Sequence, residues 1–348
     1  MTSGRSAALA RHVAPDRVSV GREREIVVDR SNDCVVVDEA VFVKWLTPPL
    51  AAPHRGQQLL AHLRAVGFAQ MPAFLGSMSD GQLVTALVFE HMVGGRDGWE
   101  WFFEEVLGVA GGSRDVAEPA GSAHRIGALV ADLHAALATP SEVLPHPVGL
   151  ADATVERDRC RTLLTEALDE VTADQHPQVR AVLQARRRQL AGVMDSVPVH
   201  PTPGIALHGD LHLGQILRAG ERLAVIDFEG NPLSVAASQP AYRPAAVDLA
   251  SLVQSVDHAV RMVQHRRAGR DAEFDRLAID LARCTLEGYR QRLHAAGRSE
   301  LLDERLLPGL RAAQELHELV YSVRRLPRWL YAPTLALRGM FPAVAAHD

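Results

Sequence analysis

The chain has 348 residues, 47% apolar and 23% charged, which fits a globular protein large enough for two lobes. Its formal charge of −5 argues against a basic nucleic-acid surface and is compatible with a small neutral or cationic substrate. Cys34, Cys160 and Cys284 are far apart, form no CxxC pair and read as reduced thiols. With no signal-peptide core and no run of about 20 apolar residues, neither a membrane partner nor export is expected, and the cytoplasm is the expected compartment.

Residues 1–20 read as a loose lead or an extra edge element. Then E-I-V-V-D, R-S-N-D and C-V-V-V-D read as strand, turn, strand. A third apolar run, Val41 to Leu46, is expected to end at Pro48, Pro49 and Pro53. Residues 54–66 predict a short helix with Leu59, Leu60 and Leu63 on one face, and 83–90 another strand. From Asp97 the pattern turns helical, with Asp97 and Glu100 as a cap pair. A Gly/Ala-rich loop at 108–122 leads to a helix at 124–138, and helices fit 152–171 and 177–195. Two short strands follow, Gly204–His208 and Leu223–Asp227, and then helices at 245–267, 272–296 and 308–325. The shift at Gly94-Gly95 marks the boundary between a small lobe, 1–94, and a larger helical lobe, 95–348.

Polar chemistry concentrates in His208-Gly209-Asp210-Leu211-His212-Leu213-Gly214-Gln215, between the two short strands. Asp210 follows the first strand and Asp227 ends the second, so a turn would bring both carboxylates to one edge. Together with the Gln215 amide they are hard oxygen ligands of the kind Mg²⁺ takes, and so sparse a set points to a metal–nucleotide complex. A lone H-x-D-x-H also occurs in metallohydrolases. Those need further ligands on other strand ends, whereas His124, His134, His258 and His265 lie in helical stretches.

H-G-D-L-H-L-G-Q followed by V-I-D-F-E resembles the catalytic and metal-binding loops of the aminoglycoside phosphotransferase superfamily, in its maltokinase-like and glucosamine-kinase-like branch. The resemblance implies an α+β, bilobal, protein-kinase-like fold. It implies Asp210 as the catalytic carboxylate, and Gln215 and Asp227 as ligands of Mg²⁺ bound to ATP. Glu229 stands where kinases have the glycine of D-F-G, and is expected to touch metal-bound water or substrate. His208 and His212 are expected to brace the loop by hydrogen bonds to backbone.

Val41-Phe42-Val43-Lys44 resembles the strand whose lysine holds the ATP phosphates. Lys44 is the only lysine in the sequence. No glycine-rich loop separates the first strands, only Arg30-Ser31-Asn32-Asp33. The following helix offers Gln57 or Gln58 where kinases pair the lysine with glutamate. Phe89-Glu90-His91-Met92 resembles the hinge, where backbone groups of Glu90 and Met92 would meet adenine.

Near the C-terminus, Gln314, Glu318 and Tyr321 share a helical face, with Trp329 just beyond Pro327. Amide, carboxylate, phenol and indole suit a polyhydroxylated ring, and a solvated face is the alternative. The segment resembles the acceptor site of the glucosamine-kinase-like branch, and Asp257 matches its S-x-D. Asp248 is expected to cap its helix or pair with Arg243, and Trp99 and Trp101 to pack in the core or between the lobes. The expected activity is ATP-dependent phosphorylation of a sugar, with glucosamine at O6 the sharpest reading. Maltose, an aminoglycoside, or a non-catalytic ATP- or sugar-binding regulator are the alternatives.

Overall fold

A computed structural model describes residues 4–26, 32–230, 241–267 and 271–342. The expected turn at Arg30 and Ser31 and the end of the first strand lie outside the described residues. The chain divides into two compact units. One comprises Met1–Asp97, Ala136–Pro147 and Gln215–Ser238, the other Gly98–Ala135, Val148–Gly214 and Gln239–Asp348.

The lead is no loose edge. It forms a helix, α1 (Arg5–Val13), whose Ala7, Leu9 and Ala10 are buried. They pack in one cluster with Val35, Val43, Trp45 and Val88. The Trp45 indole N–H donates to Ser6 Oγ at 3.0 Å, and the Arg5 guanidinium lies 3.5 Å over the Trp45 ring. Small alanines let the helix sit flush on the sheet, which a scan for large apolar residues does not register.

That sheet comprises β1 (Glu23–Ile26), β2 (Asp33–Val37), β3 (Val41–Ala51), then, after helix α2 (Arg55–Ala65), β4 (Phe74–Asp80) and β5 (Leu83–Glu90). It is antiparallel in the order β1-β2-β3-β5-β4. Two of the prolines expected to end β3, Pro48 and Pro49, are carried inside it, and Pro53 lies just beyond its end. The register against β5 shifts between Trp45 and Leu50, so Pro48 and Pro49 fall where no ladder N–H is required.

The helices α3 (Gly98–Ala110) and α4 (Ala117–Leu137) shorten the expected loop to residues 111–116. Next come β6 (Val148–Asp152), α5 (Ala153–Glu170), α6 (Pro177–Asp195) and β7 (Pro201–Ile205), then β8 (Ile216–Ala219) and β9 (Arg222–Val225). The remainder is α7 (Ala246–Arg266), α8 (Asp271–Ala295), α9 (Leu307–Arg325) and α10 (Tyr331–Met340). β7 pairs with β6, and β9 with β8, so the two short strands expected to lie together belong to separate two-stranded sheets.

The later segments of the first unit are tied to its sheet by backbone. Arg96 and Arg218 exchange N–H···O bonds at 3.0 and 2.8 Å, and the Val225 N–H donates to Gln70 O at 2.9 Å. The His62 ring meets Ser141 Oγ and Ala136 O. In the second unit α7 is buried along most of its length and packs on α3, α8, α9 and α10. Among the described residues no helix is long and apolar enough to cross a membrane.

Candidate active site

In the first unit, Lys44 on β3 is buried, with Nζ 2.6 Å from Asp227 Oδ1 and 3.4 Å from Glu229 Oε2. Asp227 follows β9 with a left-handed φ of 70°, a strained conformation for a non-glycine residue and one common at functional sites. Gln215 closes a 3₁₀ turn before β8. Its carbonyl accepts the Ile226 N–H at 3.0 Å and its Nε2 lies 3.3 Å from Asp227 Oδ2. Pairing of β8 with β9 therefore brings the amide and the carboxylate together.

Phe228 is buried and anchors this segment. Burial, and then the neighbouring Asp227 carboxylate, push Glu229 up to about 8. Its Oε1 is buried with no hydrogen-bond partner among the described residues. The Gln215 amide, whose nitrogen faces Asp227, and the Asp227 carboxylate carry the oxygen donors that a hard cation takes. Among the described residues no cluster of three or more His, Cys, Asp or Glu could hold a metal. An ion here would complete its shell from water and phosphate, as Mg²⁺ does.

The expected glutamine partners of Lys44 do not pair with it. Gln57 Nε2 donates to Ser77 Oγ at 2.6 Å, and Gln58 is exposed. The carboxylates facing Lys44 come from the Asp227–Glu229 segment instead. At the end of β5, the Glu90 N–H donates to Ala73 O at 2.9 Å. Its carboxylate accepts from Arg222 at 3.0 and 3.2 Å, which holds it below the usual carboxylate range. Met92 is buried, and its carbonyl accepts the Gly95 N–H at 3.0 Å.

In the second unit, the loop from His208 to Gly214 is fixed by bonds to its backbone. Asp248, in the first turn of α7, accepts the N–H groups of His208 at 2.8 Å and Gly209 at 3.0 Å. His134 Nε2 lies 3.4 Å from the same carboxylate, and the Tyr289 hydroxyl lies 2.7 Å from His134 Nδ1. Burial works against the ionised form of Asp248, yet His134 and the loop amides hold its pKa below the ordinary value. The expected pairing of Asp248 with Arg243 is not formed, because Arg243 forks onto Glu156 with two bonds of 2.8 Å.

Inside the loop, the Asp210 N–H donates to His208 Nδ1 at 3.3 Å and the Gly214 N–H to His212 Nδ1 at 3.0 Å. The Leu213 N–H donates to Ser255 Oγ at 3.0 Å. Gly209 takes φ 86°, which frees the chain to turn before Asp210. The Asp210 residue stays half-buried.

On α9, Gln314 Nε2 donates to Glu318 Oε1 at 3.3 Å, and Tyr321 is half-buried. Trp329 makes edge contacts with Trp99, His258 and Tyr331 at centroid distances of 5.9, 5.9 and 5.7 Å. Trp99 in turn lies 6.0 Å from the His212 ring. Trp101 is buried, as expected, but Trp99 is half-buried and links the loop to Trp329. The spacing W-x-W at the start of α3 carried that signal, since neighbours two apart on a helix face different ways.

Asp257 is buried, and its Oδ1 accepts from Arg261 Nε at 2.6 Å. Beside it, His258 Nε2 sits 2.9 Å from Glu315 Oε2, both buried. Gln254 also donates to Glu315 and accepts from Arg311 at 2.6 Å. Burial opposes the charged ring of His258, but the Glu315 charge and hydrogen bond outweigh it and raise the pKa to about 9.

The Phosphotransferase enzyme family profile matches residues 25–282. A glucosamine kinase from Streptacidiphilus jiangxiensis is 36% identical over 92% of this chain and 74% of its own length. One from Mycolicibacterium smegmatis (strain ATCC 700084 / mc(2)155) is 34% identical over 91% of this chain and 79% of its own. The solved structure of a glucosamine kinase in complex with glucosamine, ADP and inorganic phosphate superposes with a TM-score of 0.82 at 32% identity, covering 98% of this chain and 84% of that one.

Proposed function

Because the chain belongs to the phosphotransferase enzyme family, we propose that it moves the γ-phosphoryl group of ATP to O6 of glucosamine, giving glucosamine 6-phosphate and ADP. The observation that carries this reading is the shared fold, over nearly the whole chain, with a glucosamine kinase that binds glucosamine and ADP.

In this reading Lys44 offers a point charge to the phosphates. Backbone groups of Glu90 and Met92 meet the adenine. Gln215 and Asp227 hold Mg²⁺, with Glu229 beside them. When bound, the ion neutralises charge on the ATP phosphates. Asp210 orients the acceptor hydroxyl and takes its proton as the oxygen attacks the γ-phosphorus and the bond to the β–γ bridging oxygen breaks. His208 and His212 hold Asp210 in place through the loop backbone. Gln314, Glu318, Tyr321 and Asp257 recognise hydroxyls and the amine, and Trp329 covers the sugar ring. ATP as donor and cysteines in the thiol form fit the reducing cytoplasm as compartment.

The test is ADP release with Mg-ATP against glucosamine, glucose, N-acetylglucosamine, maltose and kanamycin. Turnover with glucosamine well above glucose supports the proposal. Turnover with maltose or kanamycin alone keeps the phosphotransferase chemistry and removes glucosamine as the acceptor.

A further inference from the structure

Helix α2 approaches the Asp227–Glu229 segment more closely than a side chain would allow. A Cβ on Gly56 would lie 2.7 Å from the Phe228 carbonyl oxygen and 2.9 Å from Glu229 Cα. Glycine is needed there for space, since its φ is not in the left-handed range. The N–H of Gly56 donates to His54 Nδ1 at 3.2 Å, which caps the helix at the point of contact. One residue further on, Gln57 is committed to Ser77. The helix therefore meets the segment through backbone, and it presents no carboxylate at that position.

The segment itself supplies what the helix lacks. The Glu229 carboxylate, 12% exposed, lies 3.4 Å from Lys44 beside the closer Asp227 at 2.6 Å, and Phe228 between them in sequence is buried. We propose that Gly56 and Glu229 act together as positioning residues. Gly56 lets α2 clamp the Phe228–Glu229 backbone, and the clamped Glu229 carboxyl group sets Lys44 for the nucleotide phosphates. The anchor of the phosphate-binding lysine has moved from a helix side chain to the segment that also carries Asp227. A single rigid contact then aligns both the lysine and the proposed metal ligand. This inference rests on the nucleotide reading above and assigns Glu229 to the lysine rather than to substrate.

The experiment measures ADP affinity by titration calorimetry in EDTA, so that no metal contributes, together with KM for ATP and for glucosamine. The variants are Glu229→Ala, Gly56→Ala and, as a control, Gly192→Ala, whose added Cβ meets nothing within 4 Å. If Lys44 is no longer set for the phosphates, its charge-assisted contact to them is lost, which predicts about tenfold weaker metal-free ADP binding in Glu229→Ala. Gly56→Ala should weaken it in the same direction, and the double variant should lose less than the sum. KM for ATP should rise while KM for glucosamine stays, and Gly192→Ala should match the parent. Unchanged metal-free affinity in both variants overturns the inference. So does an equal rise in both KM values, which a general loss of structure would give. If the parent itself fails to bind ADP, the nucleotide reading fails first and takes this inference with it.

Discussion

Asp248 accepts the backbone N–H of His208 at 2.8 Å, from a carboxylate wholly inside the protein. Forty positions separate the two residues in sequence, so the geometry of the Asp210 loop is decided on α7. Replacing Asp248 by Ala strands two backbone donors, of which the His208 N–H is fully buried, at about 1–3 kcal/mol each. A loop displaced by about 1 Å costs on the order of a hundredfold in rate. Urea melts should show the first effect. Steady-state kinetics should show kcat reduced, with KM for ATP near its parent value.

In the proposed role of Asp210, Asp210→Asn removes only proton acceptance and orientation, so it should lower kcat by about 10²–10⁴-fold and leave ADP binding intact. Half-exposed Asp210 makes little contribution to the core, so the melting temperature should hold. Equal ATP turnover in parent and variant would point to a non-catalytic binding protein.

The His258–Glu315 pair makes stability depend on pH in the alkaline range. An unfolded histidine titrates at about 6.5, and the folded ring at about 9. A raised pKa means that the folded state holds the proton more tightly. The contribution is therefore complete below about pH 6.5 and disappears as pH rises through about 9. Melting temperatures of the parent should fall across that window. His258→Gln should be less stable at neutral pH and show a flatter slope, and identical slopes would remove the assignment.

Two glycines of α4 predict opposite signs for one substitution. A Cβ at Gly127 would overlap the Thr285 carbonyl oxygen on α8, whereas one at Gly121 meets nothing within 4 Å. Gly121→Ala should stabilise by about 0.5–1 kcal/mol through helix propensity. Gly127→Ala should destabilise by about 1–3 kcal/mol, because two helices must part. Denaturant midpoints of the two variants should move to either side of the parent.

What the sequence revealed and what it hid divide along physical lines. Asp210, Gln215 and Asp227 sit in short runs whose residue types and spacing drew attention to them, and resemblance to the family's loops and lysine strand supplied their expected roles and that of Lys44. The strand Phe74–Asp80 escaped because Gly76, Ser77 and Ser79 interrupt its apolar pattern and most of it is only half-buried. The strand Val148–Asp152 escaped because Val148 and Leu150 are exposed. Gly56 and Asp248 owe their positions to partners far along the chain. Neither periodicity nor local motif encodes such pairs. Gln57 misled for a related reason. Its helical position suggested a partner for Lys44, but Ser77, brought up by β4, takes its amide.

Lys44 is the only lysine the chain contains, and it sits buried against two carboxylates. The protein is therefore chemically singular toward amine-directed reagents. Apart from the terminal amine, an acylating probe has one side chain to find, since guanidinium groups are inert to it. Adduct mass alone would report how open that corner of the molecule is. Protection by ADP would read occupancy there without any enzymatic assay, and a single acetyl group would be enough to cancel the only ammonium charge among its side chains.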